Sequence, residues 1–482
     1  MTLSLRTSGD GSPPLKASAL ERLRSQVHEL LTPESPGYDE ARSIWNAMID
    51  RHPGLIARCQ NSEQVAHAVS FARENELIVS VRGAGHNIAG KAVCDGGLMI
   101  DLSPMKSVQV DPIARTARVD PGCTLAEFDH EAQAFGLATP VGYNSTTGIA
   151  GLTLGGGFGW LSRSYGLTCD NLRSVDIVTA DGTLRHASEN ENADLFWAVR
   201  GGSGNFGVVT SFEFDLHPVG PEVLSGLLIY PLEDAAEVFR EYREFAARAP
   251  DQVTAWCVLR HAPPLPFVPE EWHGERVLII AALYAGSMAD GEAALQPLRK
   301  IGNPIVDAIG PHPYTAWQQA FDPLLGPGAR NYWKSHNFME FTDGMIENFV
   351  KFAKSMPTPL SEIAIAQLGG AINRVPTDAT AYPHRDAKFL MNLHTRWEDP
   401  AQDRECIAWA RELYDAMTPH ATGGVYVNFI PEEVGQERAA YRENYDRLVE
   451  VKNRYDPGNL FRMNQNIRPS ELTTDGTKPL AV

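Results

Sequence analysis

The chain has 482 residues, enough for two domains, with 43% hydrophobic and 21% charged residues, an ordinary globular composition. A formal net charge of -18 with no long basic run argues against nucleic acid and anionic membranes as partners. There is no apolar run of membrane-spanning length, MTLSLRTSGDGSPPL lacks the order of a signal peptide, and Cys59, Cys94, Cys123, Cys169, Cys257 and Cys406 form no CxxC pair; the expectation is a soluble, cytoplasmic protein with single buried thiols and no metal site.

Residues 1–36 are polar and Pro/Ser-rich, predicting a lead-in with one short helix over 19–31. A strand is expected at 53–57. Val65, Ala68, Val69 and Ala72 then fall at i, i+3, i+4 and i+7, predicting a helix capped by Asn61 or Ser62. Ile78, Val79 and Val81 predict a strand that breaks at Gly83-Ala84-Gly85, with His86 following. Next come a strand at 98–102, a hairpin around Asp111-Pro112, and a helix over 124–135 with Thr124 and Glu127 as a capping box. Residues 142–166, GYNSTTGIAGLTLGGGFGWLSRSYG, are too glycine-rich for a stable helix and too apolar for a solvated linker, so they read as loops folded round something. A hairpin at Asp181-Gly182, a helix over 193–200, a loop over 201–207 and a strand over 208–216 follow.

Pro218-Val219-Gly220-Pro221 marks a boundary. Beyond it, strands at 224–230, 254–259, 277–284, 362–368 and 389–395 are interleaved with helices at 235–248, 291–300, 345–355 and 404–417, around a Pro-rich passage. This pattern predicts a large antiparallel sheet with helices on one face. A strand at 425–429 and a long helix over 436–452 close the pattern before Tyr455-Asp456-Pro457-Gly458.

The turn after the strand at 78–82 carries the first chemical signal. Glycines there let backbone N–H groups approach phosphate oxygens, Arg82 adds a cation, and His86 falls where the reactive end of a phosphate-anchored ligand would lie. A plain tight turn followed by a surface or core histidine is the alternative. Gly202-Ser203-Gly204-Asn205-Phe206-Gly207 matches GxGxxG, but a helix precedes it and a strand follows, the reverse of a Rossmann site.

Four blocks in this order, VRGAGHNIAG at Val81, GLTLGGGFGWLSRSYGLTCDN at Gly151, ADLFWAVRGGSGNFGVVT at Ala193 and YDPGNLFRMNQNI at Tyr455, resemble the FAD-linked oxidases of the vanillyl-alcohol oxidase and berberine-bridge-enzyme type. Bacterial amine oxidases acting on hydroxynicotine are among the similar members. The resemblance spans about Arg51 to Pro469. It implies an α+β, two-domain FAD-binding fold of the PCMH type. Residues 37–219 and 421–482 would form the FAD domain, and 220–420 a substrate domain built on the large sheet.

The resemblance also implies that His86 is joined to the flavin 8α-methyl, with Ala84 standing where glycine is more usual. Arg82, Gly83, Gly85 and Asn87 would flank the cofactor with them. Asn144, Ser145, Thr147, Gly148, Gly151, Gly157 and Gly159 of the second glycine-rich stretch would contribute, together with Val208, Asn428 and Asn464. Many members make a second link through a cysteine four residues before a glycine. Asn144 stands there, before Gly148, so a single covalent link is expected. Thr147 lies in the segment that gates oxygen in the family, implying an oxidase that releases hydrogen peroxide. A dehydrogenase using another acceptor, or a degenerate flavin-binding protein, is the alternative.

The family's Tyr-x-Asn-Tyr motif reads Tyr426-Val427-Asn428-Phe429 here. Strand alternation would put Tyr426 and Asn428 on one face, with Tyr426 as base or orienting group, or simply as a core tyrosine. Lys334 or Arg385 could lower its pKa. Gln367, polar on an otherwise apolar strand face, is a candidate substrate contact or an edge residue in water. Tyr332, Trp333 and Tyr382 are further candidates, whereas His384 reads as structural. The substrate is a small organic molecule, oxidised at an amine, an alcohol or sugar, or a secondary-metabolite carbon. The other expected partner is O2, with the chain a monomer or homodimer.

Overall fold

The computed structural model describes residues 5–9, 11, 15–431 and 435–470. Most of the segment read as lacking a signal peptide, and residues 471–482 of the C-terminal segment, lie outside the described residues.

The first sheet runs Glu29–Leu31, Leu55–Arg58, Leu98–Asp101, Val79–Arg82. The last three strands are parallel, joined across the helix Ser62–Glu74, whose N-cap Asn61 accepts a hydrogen bond from the Gln64 N–H. The lead-in helix is shorter than predicted. It ends at Gln26, and Glu29–Leu31 instead pairs antiparallel with Leu55–Arg58, burying Leu30 and Leu31. The second sheet is antiparallel, in the order Val108–Asp111, Thr116–Val119, Val208–Asp215, Leu172–Val178, Leu184–Ser188. The helix Leu125–Gln133 lies against it, with the capping box of Thr124 and Glu127 formed. Val178 and Val208 also pack into the core of the first sheet, so the two sheets share apolar residues.

The third sheet has eight antiparallel strands. Its main path runs Val306–Asp307, Glu222–Pro231, Arg276–Tyr284, Val253–His261, Glu362–Gln367, Phe389–Trp397, Arg330–Phe338. The helices Ala235–Ala246, Met288–Arg299, Asp343–Ala353 and Asp403–Met417 share one apolar core with it. The fold is therefore α+β, with a large antiparallel sheet covered by helices. Arg330–Phe338 lay inside the passage read only as Pro-rich. Its polar sequence RNYWKSHNF hides a strand that pairs over its whole length with Phe389–Trp397.

Two C-terminal expectations are corrected. Residues 425–429 are not a strand but enter a 3-10 turn, Val427–Phe429. The long helix divides into Glu437–Tyr441 and Tyr445–Tyr455, with Arg442 at φ 43° between them. Both pieces join the core of the second sheet, not the third.

Candidate active site

Three glycine-rich loops and the C-terminal segment frame one cleft. The first loop, Gly83 to Asn87, leaves the strand Val79–Arg82 at the edge of the first sheet and supplies Gly83, Ala84, Gly85, His86 and Asn87. The second supplies Asn144, Thr147, Gly148 and Gly151, the third Ser203, Gly204 and Val208, and the C-terminal segment Phe461, Met463 and Asn464. Short helices do form within the second stretch, at Ile149–Leu154 and Ser162–Tyr165. Close approach explains the glycines: a Cβ on Gly148 would lie 2.8 Å from the Ala84 Cβ, and one on Gly155 would lie 2.1 Å from Asn428 Oδ1. Ala84 thus fits its loop because its partner is glycine.

At one end of the cleft, the His86 imidazole stacks on Trp45, with centroids 4.5 Å apart and planes at 21°. Burial pushes its pKa down to about 4, helped by the Arg396 charge, so the ring is neutral at physiological pH. Its Nε2 is buried without a hydrogen-bond partner. Such an atom normally finds a partner in a native site.

Beyond that end lies an aromatic chamber of about 370 Å³, lined by Trp160, Trp256, Trp317, Phe321, Phe267 and Leu265 among others. Its floor is the sheet face opposite the helices. Ala364 and Ala366 sit there with Glu362, which pairs with Arg260 at 2.8 Å and with His394 Nδ1 at 2.7 Å. Tyr143, Phe158, Leu325 and Phe429 line both cavities and mark their junction.

Tyr426 and Asn428 do come together, though through the 3-10 turn and not by strand alternation. The Tyr426 hydroxyl accepts from the Gly157 N–H at 3.0 Å and from Asn428 Nδ2 at 2.9 Å, while Asn428 also donates to the Leu152 carbonyl. Burial pushes the Tyr426 pKa up, and with its oxygen already accepting from two donors it has no lone pair left for a substrate proton. Lys334 lies with its Nζ 4.2 Å from the Tyr414 ring centroid, in the helix layer, and Arg385 is held by Asp170. Gln367 is also turned into that layer: its Oε1 accepts from the Ala255 N–H and its Nε2 donates to the Ala246 carbonyl. Neither Lys334 nor Gln367 lines the cleft or the chamber.

Four cofactor-side expectations also differ. Arg82 pairs with Asp101 at 3.2 Å, on the far side of a strand that turns Val79 and Val81 to the cleft. Ser145 binds Asp322 through both its N–H and its hydroxyl. Gly157 supports Tyr426, and Gly159 packs so tightly that a Cβ would reach 1.9 Å from the Val141 carbonyl oxygen. His384 donates from Nε2 to the Ala440 carbonyl, a structural role. The residues that sequence reasoning missed are Trp45, Tyr143, Arg260, Glu362 and His394. Polar groups in strands as apolar as 362–367 and 389–397 were the available signal for the last two.

A long cleft bordered by glycine-rich loops, opening beside a histidine into an apolar chamber, defines an FAD-linked oxidoreductase. Comparisons agree. The FAD binding domain family matches residues 53–188, and the family described as berberine and berberine like matches residues 425–468. An uncharacterized FAD-linked oxidoreductase of Bacillus subtilis (strain 168) is 32% identical over 448 residues, covering 91% of this chain and 96% of that protein. (R)-6-hydroxynicotine oxidase of Paenarthrobacter nicotinovorans is 32% identical over 459 residues, covering 92% and 96%. The crystal structure of 6-hydroxy-D-nicotine oxidase from Arthrobacter nicotinovorans superposes with a TM-score of 0.82 at 28% identity, covering 92% of this chain and 98% of that one. This chain belongs to the berberine-bridge-type family of FAD-linked oxidoreductases and is an FAD-dependent enzyme. Among the described residues, no helix is long and apolar enough to cross a membrane.

Proposed function

We propose that the chain is an oxidase carrying FAD on a single covalent bond to His86, and that it oxidises a small organic molecule held in the aromatic chamber, with O2 as final acceptor and hydrogen peroxide as product. The observation that carries this reading is the neutral His86 ring with its partnerless Nε2 inside the cleft. A neutral imidazole is a nucleophile near neutral pH. Asn144, at the position of the second link, bears no thiol, and its Oδ1 is used by the Thr146 N–H and hydroxyl.

The cleft fits FAD. The loops at Gly83 to Asn87 and Ser203 to Gly204, with Asn464, would hold its polar portion, while Val79, Val81 and Val208 give apolar walls. When bound, FAD supplies the hydride acceptor. The protein orients the ring through Trp45 and His86 and through Asn428, fixed between Tyr426 and the Leu152 carbonyl. Residues 37–219 and 421–482 then act as the cofactor unit, and 220–420 as the substrate unit. Acid precipitation tests the attachment. Yellow colour should stay with the precipitated wild type and be lost from His86→Ala, and flavin released freely from the wild type would falsify the link.

A further inference from the structure

The cavities meet where a substrate must face the cofactor, and of the four residues common to both only Tyr143 has a polar side chain; the others are Phe158, Leu325 and Phe429. Its hydroxyl lies 3.1 Å from His394 Nε2. His394 Nδ1 lies 2.7 Å from Glu362 Oε1; in the neutral ring, the tautomer that donates Nδ1–H to the carboxylate leaves Nε2 as the acceptor for the Tyr143 O–H. The Asn392 amide shares that acceptor. His394 is held by stacking on Trp333, with centroids 4.4 Å apart, and Tyr143 by an edge contact with Trp256 at 5.0 Å. Against a burial that would raise it, the Arg260 guanidinium and His394 keep the Glu362 pKa low, at about 2, so its charge is present throughout.

Resting on the flavin-oxidase reading above, we propose that Tyr143 is the proton acceptor of the reaction, with His394 and Glu362 as its relay, and that the substrate is a neutral aromatic molecule oxidised at a CH–OH carbon. As the hydride leaves the carbon with its electron pair for the flavin, the substrate hydroxyl proton passes to Tyr143 Oη. The Tyr143 proton passes to His394 Nε2, and the electron pair left on oxygen closes the C=O bond. Glu362 holds the imidazolium so formed. Burial and the Glu362 charge raise the Tyr143 pKa, so a standing tyrosinate is disfavoured and the two proton shifts are concerted. The substrate class follows from the walls: Trp160, Trp256, Trp317 and Phe321 suit a flat apolar molecule. Glu362 is already neutralised by Arg260, so a cationic amine finds no unpaired anion there.

The test uses 4-nitrophenol, a phenol that cannot give up a hydride and whose absorbance reports its own ionisation. Titrated into oxidised holoenzyme at a pH where the free probe is mostly neutral, it should bind as the phenolate. Tyr143→Phe, which keeps the ring and removes one oxygen, should bind it neutral, as should His394→Gln. Naphthylmethanol should displace the probe, and naphthylmethylammonium of the same shape should not. A wild type that binds the probe neutral or not at all, or a Tyr143→Phe protein that still ionises it, overturns the relay. Displacement by the ammonium alone overturns the substrate class. The flavin band of each preparation is read first. Its absence from the wild type would count against the flavin-oxidase reading itself, a failure visible before any probe is added.

Discussion

The Trp45 ring is held between two basic groups: the His86 imidazole stacks on it with centroids 4.5 Å apart, and the Arg396 guanidinium carbon lies 5.2 Å from its centroid. Its indole Nε1 donates to the Leu325 carbonyl at 2.8 Å, pinning it to the chamber wall. The stack shields His86 from water, and with the nearby cation it disfavours the charged ring.

A pH dependence follows. His86 titrates at about 4 when folded against an ordinary value near 6.5, so the unfolded chain takes up the proton first. Its contribution to stability is present above 6.5 and is lost as the pH falls through 4. Covalent attachment of FAD to apoprotein should therefore be flat from neutral pH down to about 5, falling only as the pH nears 4. Trp45→Ala admits water, moves the titration back toward 6.5 and should lower the yield at mildly acidic pH. In-gel fluorescence of acid-precipitated protein reads this, and a wild-type yield that already halves near pH 6.5 would contradict it.

The single link is checked by peptide mapping. All six thiols are buried and free, and burial pushes Cys123 and Cys59 up to about 12, so neither is a thiolate at neutral pH. One flavopeptide containing His86 is expected, and a second joined through cysteine would refute the assignment.

The glycine-rich blocks were legible because their chemistry is local: a strand ends, glycines turn the backbone, and the histidine follows within a few residues. The choice of face in the third sheet was not. Both faces of Glu362–Gln367 are buried, so alternation separates Gln367 from Glu362 without telling which looks at the helices. Gln367 therefore reads as a candidate substrate contact although it faces the helices, and Lys334, on a strand the sequence pattern does not reveal, reads as a neighbour of Tyr426 although it lies against Tyr414. Tyr143, Glu362 and His394 lie hundreds of residues apart or on different strands; the antiparallel register sets Glu362 opposite His394, and Tyr143 reaches them from a loop outside the sheet. Tyr426 and Asn428 meet for a reason no strand pattern contains, a 3-10 turn whose side chains bond each other.

The C-terminal segment should fail as a unit when its buried ion pair is broken. Lys452 and Asp456, both fully buried, lie 2.6 Å apart; Lys452 also donates to the Asn205 and Phe461 carbonyls, and Asp456 accepts the Leu460 and Phe461 N–H groups. These bonds set the chain that carries Phe461, Met463 and Asn464 into the cleft. Removing one partner of a buried pair typically costs about 3–5 kcal/mol. Lys452→Met should lower the thermal midpoint and the fraction of chains that acquire flavin together, read by differential scanning fluorimetry and by the ratio of flavin to protein absorbance. Full flavin occupancy at an unchanged midpoint would show that the pair does not position the segment.

Thr147 is the residue expected to govern how the reduced enzyme meets oxygen. Its backbone is fixed on both sides, the N–H donating to the Asn144 carbonyl at 3.1 Å and the carbonyl accepting from the Leu125 N–H at 2.9 Å, while the residue lines the cleft beside Asn144 and Gly148. With the loop so held, a larger side chain must extend into the cleft, because well-packed surroundings do not absorb an extra methylene cheaply. Threonine and valine are similar in volume, and isoleucine is longer. Thr147→Ile should slow reoxidation of photoreduced enzyme by aerated buffer about tenfold, roughly 1.4 kcal/mol of added barrier, with little change in the rate of reduction. Thr147→Val should stay within about twofold of wild type, since its volume is kept and only the hydroxyl is lost. Stopped-flow recovery of the oxidised flavin band measures both variants. If the wild-type flavin stays reduced for minutes in air while a quinone reoxidises it at once, the enzyme is a dehydrogenase and Thr147 gates nothing.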